Sequence, residues 1–411
     1  MKKNSKHTGV IGETEAPVPN TNELKSRALK FVVLVGVVSL FADMTYEAAR
    51  SISGPYLAIL GASATVVGVV AGLGELIGYG LRIVSGVISD RTHRYWTITI
   101  VGYAVNLLAV PALALAGKWE IAALLIMMER FGKAIRTPAR DAMLSHAAHG
   151  FGRGLAFGLH EAMDQVGAMV GPVIVAVVLA WKGSYRYGFA VLAVPAALAL
   201  AVLAVARITY PQPHDLEPAF RAGNSIRLRS TFWLYVVAVA CIALGFADYP
   251  LVAFHMKTTG IMADKWIPLI YAGAMGVDGL SALVFGRLYD RKGLPVLLII
   301  VAASAWSAPL VFLSGVKALV AGMVLWGIGM GAQESIIRAV VANIVPRDRR
   351  ATGYGIFNAG FGVAWFAGSA LMGILYDRSL IALALFSVAA QSVSLPLLLS
   401  VHRRLASETY R

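Results

Sequence analysis

The sequence predicts an all-α integral membrane protein with twelve transmembrane helices, arranged as two six-helix bundles related by a pseudo-two-fold axis along the membrane normal. Composition is the first observation: of 411 residues, 58% are hydrophobic and only 14% charged, more apolar surface than a soluble core can hide. The second is that twelve apolar runs of about 20 residues or more recur, each long enough to cross a hydrocarbon core of about 30 Å as a helix. The third is an internal echo. Phe41-Ala42-Asp43 returns as Phe246-Ala247-Asp248. Gly86-x-x-x-Asp90-Arg91 returns as Gly286-x-x-x-Asp290-Arg291. Arg153, Gly158, Ala162, Val166 and Gly171 return as Arg350, Gly355, Ala359, Val363 and Gly368. Two halves repeated in one orientation are expected to pack about an axis normal to the membrane, with a site between them at mid-depth.

These repeats set the expected boundaries: a polar, disordered cytoplasmic tail over 1–27, an N-terminal bundle over 28–206, a cytoplasmic linker rich in Pro and Arg over 207–230, a C-terminal bundle over 231–402 and a short tail over 403–411. Orientation follows from Lys and Arg. The N-terminal tail, every second loop and the C-terminal tail are basic, so both termini are expected in the cytoplasm, and the net charge of +14 reads as a topology signal rather than a nucleic-acid footprint. A cell inner (plasma) membrane fits. The polar start is not a secretory signal, and the lone Cys241 excludes an internal disulfide and gives no metal pattern. The chain is read as a monomer surrounded by lipid.

Ionisable residues are sorted among the segments with a period of three. The third (Thr97 to Gly117), sixth (Tyr187 to Ala206), ninth (Leu294 to Val316) and twelfth (Ser379 to Val401) contain no Asp, Glu, Lys, Arg or His. Charge in hydrocarbon persists where it faces a bundle interior or a watery cavity, so the uncharged segments should face lipid and the others should line a path.

Taken in order, the first segment places Asp43, Glu47 and Arg50 on one helical face, and Asp43 lies about 20 Å along the helix if it begins near Leu29. Asp43 is therefore the better proton site, while Glu47 and Arg50 also suit the outer water interface. Glu75 lies mid-way along the second segment. The fourth carries Glu129, Arg130, Lys133, Arg136, Arg140 and Asp141, with Arg130 deep enough to pair with Asp43, Glu75 or Asp164. Snorkelling accounts for Lys133 and Arg136 unless the stripe faces the path, in which case it favours an anionic or zwitterionic substrate. The fifth adds His160, Glu161 and Asp164, with His160 and Asp164 one turn apart. Asp248 in the seventh and Asp278 in the eighth complete the candidate proton-coupling groups. Gln333, Glu334 and Arg338 in the tenth segment and Asn358 in the eleventh complete a candidate substrate cavity with Arg130, Lys133 and Arg136.

The paired Gly-x-x-x-Asp-Arg loops, after the second and eighth segments, resemble those of the major facilitator superfamily over residues 28 to 402. That resemblance implies a gating role for Gly86, Asp90, Arg91, Gly286, Asp290 and Arg291. The first copy has His93 where the family usually has Gly; the second keeps Gly293. In the fifth segment Gly158, Gly167, Gly171 and Pro172 resemble the antiporter signature of the drug:proton exporters in that superfamily, with Val175-Ala176 replacing its final Gly pair. Glycines four apart allow close helix packing and Pro172 permits a bend.

Soluble-enzyme chemistry finds no support: there is no phosphate-binding loop, nucleophile elbow or His-Glu-x-x-His pair. No cofactor is implied, and an ion gradient, protons first, is the expected energy source. The expected function is alternating-access secondary transport, most simply export of a small amphiphilic solute or drug in exchange for protons. The alternatives are an uptake permease or uniporter for an organic anion, and a membrane sensor that moves nothing.

Overall fold

A computed structural model describes residues 21–147, 153–211, 230–345 and 350–409. Twelve helical crossings follow one another. They are α1 (Thr21–Ile59), α2 (Ala64–Thr92), α3 (Tyr95–Ala112), α4 (Trp119–Ala147), α5 (Arg153–Lys182) and α6 (Tyr185–Thr209), then α7 (Ser230–Thr259), α8 (Trp266–Lys292), α9 (Pro295–Phe312), α10 (Val316–Ile344), α11 (Arg350–Arg378) and α12 (Leu380–Thr409). Eleven are both long and apolar enough to cross a membrane. The exception, α4, has the length, at 29 residues, and fails on the charge of its second half.

The end of the bundle that carries the α2–α3 and α8–α9 turns is called here the basic end, and the other the far end. Within the first half α1 packs on α5 and α6, and α4 packs on α2 and α3. Within the second half α7 packs on α11 and α12, and α8 and α9 pack on α10. The halves meet through α2 with α11, α1 with the far-end part of α7, and α5 with α8, whereas α4 and α10 face one another without packing together.

Small residues make these contacts. A β-carbon added at Gly171 would overlap the Met44 carbonyl, and one at Gly167 the Leu40 carbonyl, so α5 and α1 touch backbone to backbone. At the corresponding place in the other half, Gly368 of α11 sits against the Leu244 carbonyl of α7. Aligning Met44 with Leu244 and Gly86 with Gly286 keeps one constant spacing, and aligning Phe41 with Phe246 breaks it. The Phe-Ala-Asp echo therefore falls on different local structures: Asp43 lies inside the continuous α1, whereas α7 is interrupted at Phe246–Asp248 and resumes with Asp248 as N-cap and Pro250 in its first turn.

Two turns explain a sequence departure. α2 and α8 both end on a residue with positive φ, His93 at 52° and Gly293 at 70°, whose N–H donates to the Ser89 and Tyr289 carbonyls respectively. That left-handed cap suits Gly and costs a residue with a β-carbon. His93 is, among the described residues, the one non-Gly residue with positive φ.

The helices that carry the uncharged segments, α3, α6, α9 and α12, turn large apolar side chains outward, including Leu108, Ile208, Ile299 and Leu385. Residues 21–27, expected in the polar tail, are the first turns of α1. The remainder of that tail (1–20), most of the linker (212–229) and the last two residues lie outside the described residues.

Candidate functional site

A cavity of about 310 Å³ lies between the halves, lined by α1, α2, α4, α5, α8 and α10 and by none of the uncharged helices. Every sequence-predicted proton-coupling residue except Asp248 lines it: Asp43, Glu47, Glu75, His160, Glu161, Asp164 and Asp278. So do Arg130, Lys133, Arg136, Glu334 and Arg338. Gln333 and Asn358 line a small adjoining pocket that shares Glu334 and Arg338 with the main cavity. A second side pocket, sharing Arg50, Glu75 and Arg130 with the main cavity, holds Asp248. Asp141 near the end of α4 (41%) and Glu161 near the start of α5 are exposed, whereas Arg130 deeper on α4 is 12% exposed, so the cavity opens towards the basic end.

At the far-end wall one arginine joins the halves. Arg50 of α1 pairs with Glu75 of α2 at 3.1 Å and with Asp248 of α7 at 2.9 Å. Asp248 is 1% exposed and also accepts from Trp365 Nε1 at 2.9 Å and Ser369 Oγ at 3.3 Å, both on α11. The interruption of α7 frees the chain to present this carboxylate. Nearer the surface, Asp377 of α11 accepts from the Ala64 and Thr65 N–H groups and the Thr65 hydroxyl at the start of α2, adding a second tie between the halves.

Deeper, Glu47 accepts from Tyr271 of α8 and lies 3.7 Å from Lys133 Nζ, which also stands over the Tyr46 ring at 3.8 Å. Arg130 meets Glu75 at 3.4 Å, one of the partners expected for it, and Glu129 at 3.2 Å; Asn106 of the otherwise apolar α3 donates to Glu129 at 2.9 Å. Towards the basic end, His160 Nε2 lies 3.4 Å from Asp164 and 3.3 Å from Ser39 Oγ. Arg140 donates to Ser39 at 3.1 Å and to Asp141 at 2.8 Å. Asp43 is 4% exposed, and it feels the charges of Asp164, Lys133, Glu47 and Arg136.

Two deeply buried cavity charges have neither an ion partner nor a full set of hydrogen bonds among the described residues. Arg136 is 1% exposed, stacked over Tyr103 with 4.2 Å to the ring centre, and its Nε and Nη1 have no hydrogen-bond partner. Asp278 is 3% exposed, with Oδ1 unpartnered. Glu334 sits in a five-residue π-turn, Gln333–Ile337, that interrupts α10 where it reaches the cavity; such turns often mark functional positions.

The structure corrects two expectations. Arg136 does not snorkel, since its guanidinium is enclosed rather than at the surface, and Lys133 turns inward to Glu47. Arg50 and Glu47 are interior groups, not members of an outer water interface. Sequence reading missed Tyr271, Ser369 and Ser39 as site partners, and expected Trp365 as an apolar wall rather than a donor to Asp248; their only signal was polar capacity inside apolar segments, which many structural residues share.

The Gly-x-x-x-Asp-Arg residues lie at the basic end. Gly86 of α2 lies beside Pro138 of α4 and Gly286 of α8 beside Ser335 of α10, each with room for a β-carbon, while Asp90, Arg91, Asp290 and Arg291 are exposed and make no ion pair among the described residues. Of the antiporter-type residues, Gly167 and Gly171 make the α1–α5 contact, and Gly158 has open space around it.

The family model described as Major Facilitator Superfamily matches residues 35–369, with a second match over 266–405. The chain belongs to the major facilitator superfamily. An uncharacterized protein of Mycobacterium tuberculosis is 43% identical over 381 residues, covering 91% of this chain and 93% of the relative. An uncharacterized MFS-type transporter of Methanocaldococcus jannaschii is 25% identical over 374 residues, covering 89% and 93%. The fold matches a crystal structure of a mutant of the nucleoside transporter NupG with a TM-score of 0.73 at 12% identity, over 91% of this chain and 99% of that one. In this superfamily member the cavity thus sits where two transporter half-bundles meet, and among the described residues no cluster of His, Cys, Asp or Glu is tight enough to hold a metal ion.

Proposed function

We propose that this multi-pass membrane protein is a proton-coupled secondary transporter whose cargo is a small, charged, hydrophilic solute. The observation that carries the reading is the cavity wall: fifteen acidic and basic side chains, along with His160, surround about 310 Å³ between the halves. An amphiphilic drug, the cargo favoured by the fifth-segment resemblance, would leave those of these groups that lack ion partners desolvated, at a cost of several kcal/mol per ion. A charged solute replaces the water they lose.

Proton coupling is assigned to Asp43 with Asp164. Their carboxyl groups face one another inside the first half, His160 bridges towards Ser39, and the pair lies beside the route that widens to the basic end. Two facing carboxyls are a natural place to hold a proton. Both termini are assigned to the cytoplasm from the basic loops, which makes the open end inward and the Arg50–Asp248 wall the closed outer gate.

An exchange reading is supported by a second observation, the backbone contact of Gly167 and Gly171 with α1 directly beside Asp43, where a shift of α5 would be felt by the carboxyl pair. Flux in proteoliposomes with an imposed pH gradient tests both parts. Charged hydrophilic solutes should move with a counter- or co-flow of protons read by lumenal pH. Driven movement of apolar cations alone would overturn the cargo assignment, and solute flux indifferent to the gradient would overturn proton coupling.

A further inference from the structure

Ions in the low-dielectric interior of a membrane protein are normally paired, because an unpaired one costs several kcal/mol. About half of the charges in this cavity take part in ion pairs. Among those that do not, Arg136 and Asp278 combine burial, at 1% and 3% exposure, with side-chain atoms that have no hydrogen-bond partner, and they stand on opposite halves, on α4 and on α8. Arg136 stands over the rings of Tyr103 and Tyr46, with 4.2 and 5.6 Å to the ring centres; its Nε and Nη1 have no hydrogen-bond partner, and no carboxylate lies within ion-pairing distance of it among the described residues. Asp278 is surrounded by further acids, Glu334 foremost and then Glu161 and Glu47, with Arg338 the one cation among them. These acids are too dispersed to chelate a metal ion. They form a diffuse negative field around one free carboxylate oxygen, a setting that suits a bulky organic ammonium rather than a bare ion.

The geometry points to a zwitterionic cargo held across the two halves, its carboxylate or other anionic group at Arg136 and its ammonium at Asp278. This inference rests on the charged-solute reading above and narrows it. Guanidinium edges favour planar anions, and Lys133, within one turn of Arg136, adds a second positive group. A ligand whose two charged ends touch different half-bundles also couples occupancy to their relative position, since only one arrangement of the halves satisfies both ends.

The test is isothermal titration of the detergent-purified full chain with ω-amino acids from β-alanine to 6-aminohexanoate, each beside the amine and the carboxylate of the same length. At least one ω-amino acid should bind tenfold or more tighter than both of its one-ended analogues. Asp278→Asn should lose about tenfold or more for that amino acid while leaving the carboxylate analogue unchanged, and Asp278→Glu should recover part of the loss. Arg136→Gln should weaken the amino acid and the carboxylate together. Should either variant fail to fold, the wild-type ranking alone decides. Equal affinity of the amino acid and its carboxylate analogue, or no binding across the whole series, overturns the inference. If carboxylates alone bind and are driven by a pH gradient, the charged-solute reading survives and the zwitterion assignment fails; if tetraphenylphosphonium binds and no charged hydrophilic probe does, both fail.

Discussion

Asp248→Asn is the substitution that isolates the tie between the halves. The variant keeps the shape of the side chain and an oxygen that can accept from Trp365 Nε1, and it removes the charge that meets Arg50 at 2.9 Å. Arg50 is not stranded, because Glu75 lies 3.1 Å away in its own half, so the first bundle is expected to remain intact. What is lost is a buried, charge-assisted contact present only while the far end is closed. Breaking a buried pair outright costs about 3–5 kcal/mol. With the retained hydrogen bond and the Glu75 partner deducted, about 2–3 kcal/mol is a reasonable share for the closed state, and each 1.4 kcal/mol is tenfold, so the balance should move roughly 30- to 140-fold towards far-end opening. The measurement is spin-label distance between Lys118 and Ser314, exposed residues of the α3–α4 and α9–α10 loops at that end, on a background in which Cys241 is Ser. A longer-distance population should grow strongly in the variant. An unchanged distance distribution in a folded Asp248→Asn protein would refute the reasoning, because it would mean that the pair follows closure and does not stabilise it.

Three further outcomes are expected. Gly171→Ala should destabilise the protein by more than about 2 kcal/mol, since the new β-carbon overlaps the Met44 carbonyl, whereas Gly158→Ala, with open space around it, should be neutral or stabilising by up to about 1 kcal/mol; thermal melts of the two variants side by side check this. His93→Gly should raise stability by about 1 kcal/mol by relieving the left-handed cap of α2, read in the same melts. Asp43→Asn should abolish flux driven by a pH gradient while leaving solute counterflow without a gradient largely intact, and undiminished driven flux would remove Asp43 from the coupling role.

Much of this arrangement was legible along the chain because a membrane makes charge placement informative. The period-three absence of ionisable residues marked the four helices that stay out of the cavity, and the carboxylates of the first, second, fifth and eighth segments face it. What was illegible depends on contacts between distant segments. Arg50 looked like an interface residue because helix position alone places it near one end; only the interruption of α7, which brings Asp248 opposite, makes it interior. Arg136 matched the pattern of a snorkelling cation, and its burial depends on aromatic rings from α1 and α3. The repeated Phe-Ala-Asp misled for a related reason: three identical residues do not determine whether a helix continues, and the Tyr249-Pro250 pair that follows the second copy ends one helix and starts another.

The distribution of satisfied and unsatisfied charge is itself informative about mechanism. A rigid receptor would gain stability by replacing buried ion pairs with apolar residues of similar volume, which is often neutral or favourable. A transporter needs two arrangements of nearly equal energy, so contacts specific to one of them must be strong enough to hold it and weak enough to yield. In this chain the charges that bridge the halves at the far end, Arg50 and Asp248, are ion-paired, with both oxygens of Asp248 hydrogen-bonded, and the partnership breaks if the halves rock apart there. Two buried charges left without ion partners, Arg136 and Asp278, lie instead on the walls of the cavity, where a ligand arrives. Placing the satisfied pairs at the gate and the unsatisfied groups at the binding surface lets a solute supply, inside the cavity, electrostatic stabilisation comparable to what the gate gives up when it opens. Occupancy can then drive the movement without any change in the fold of either half.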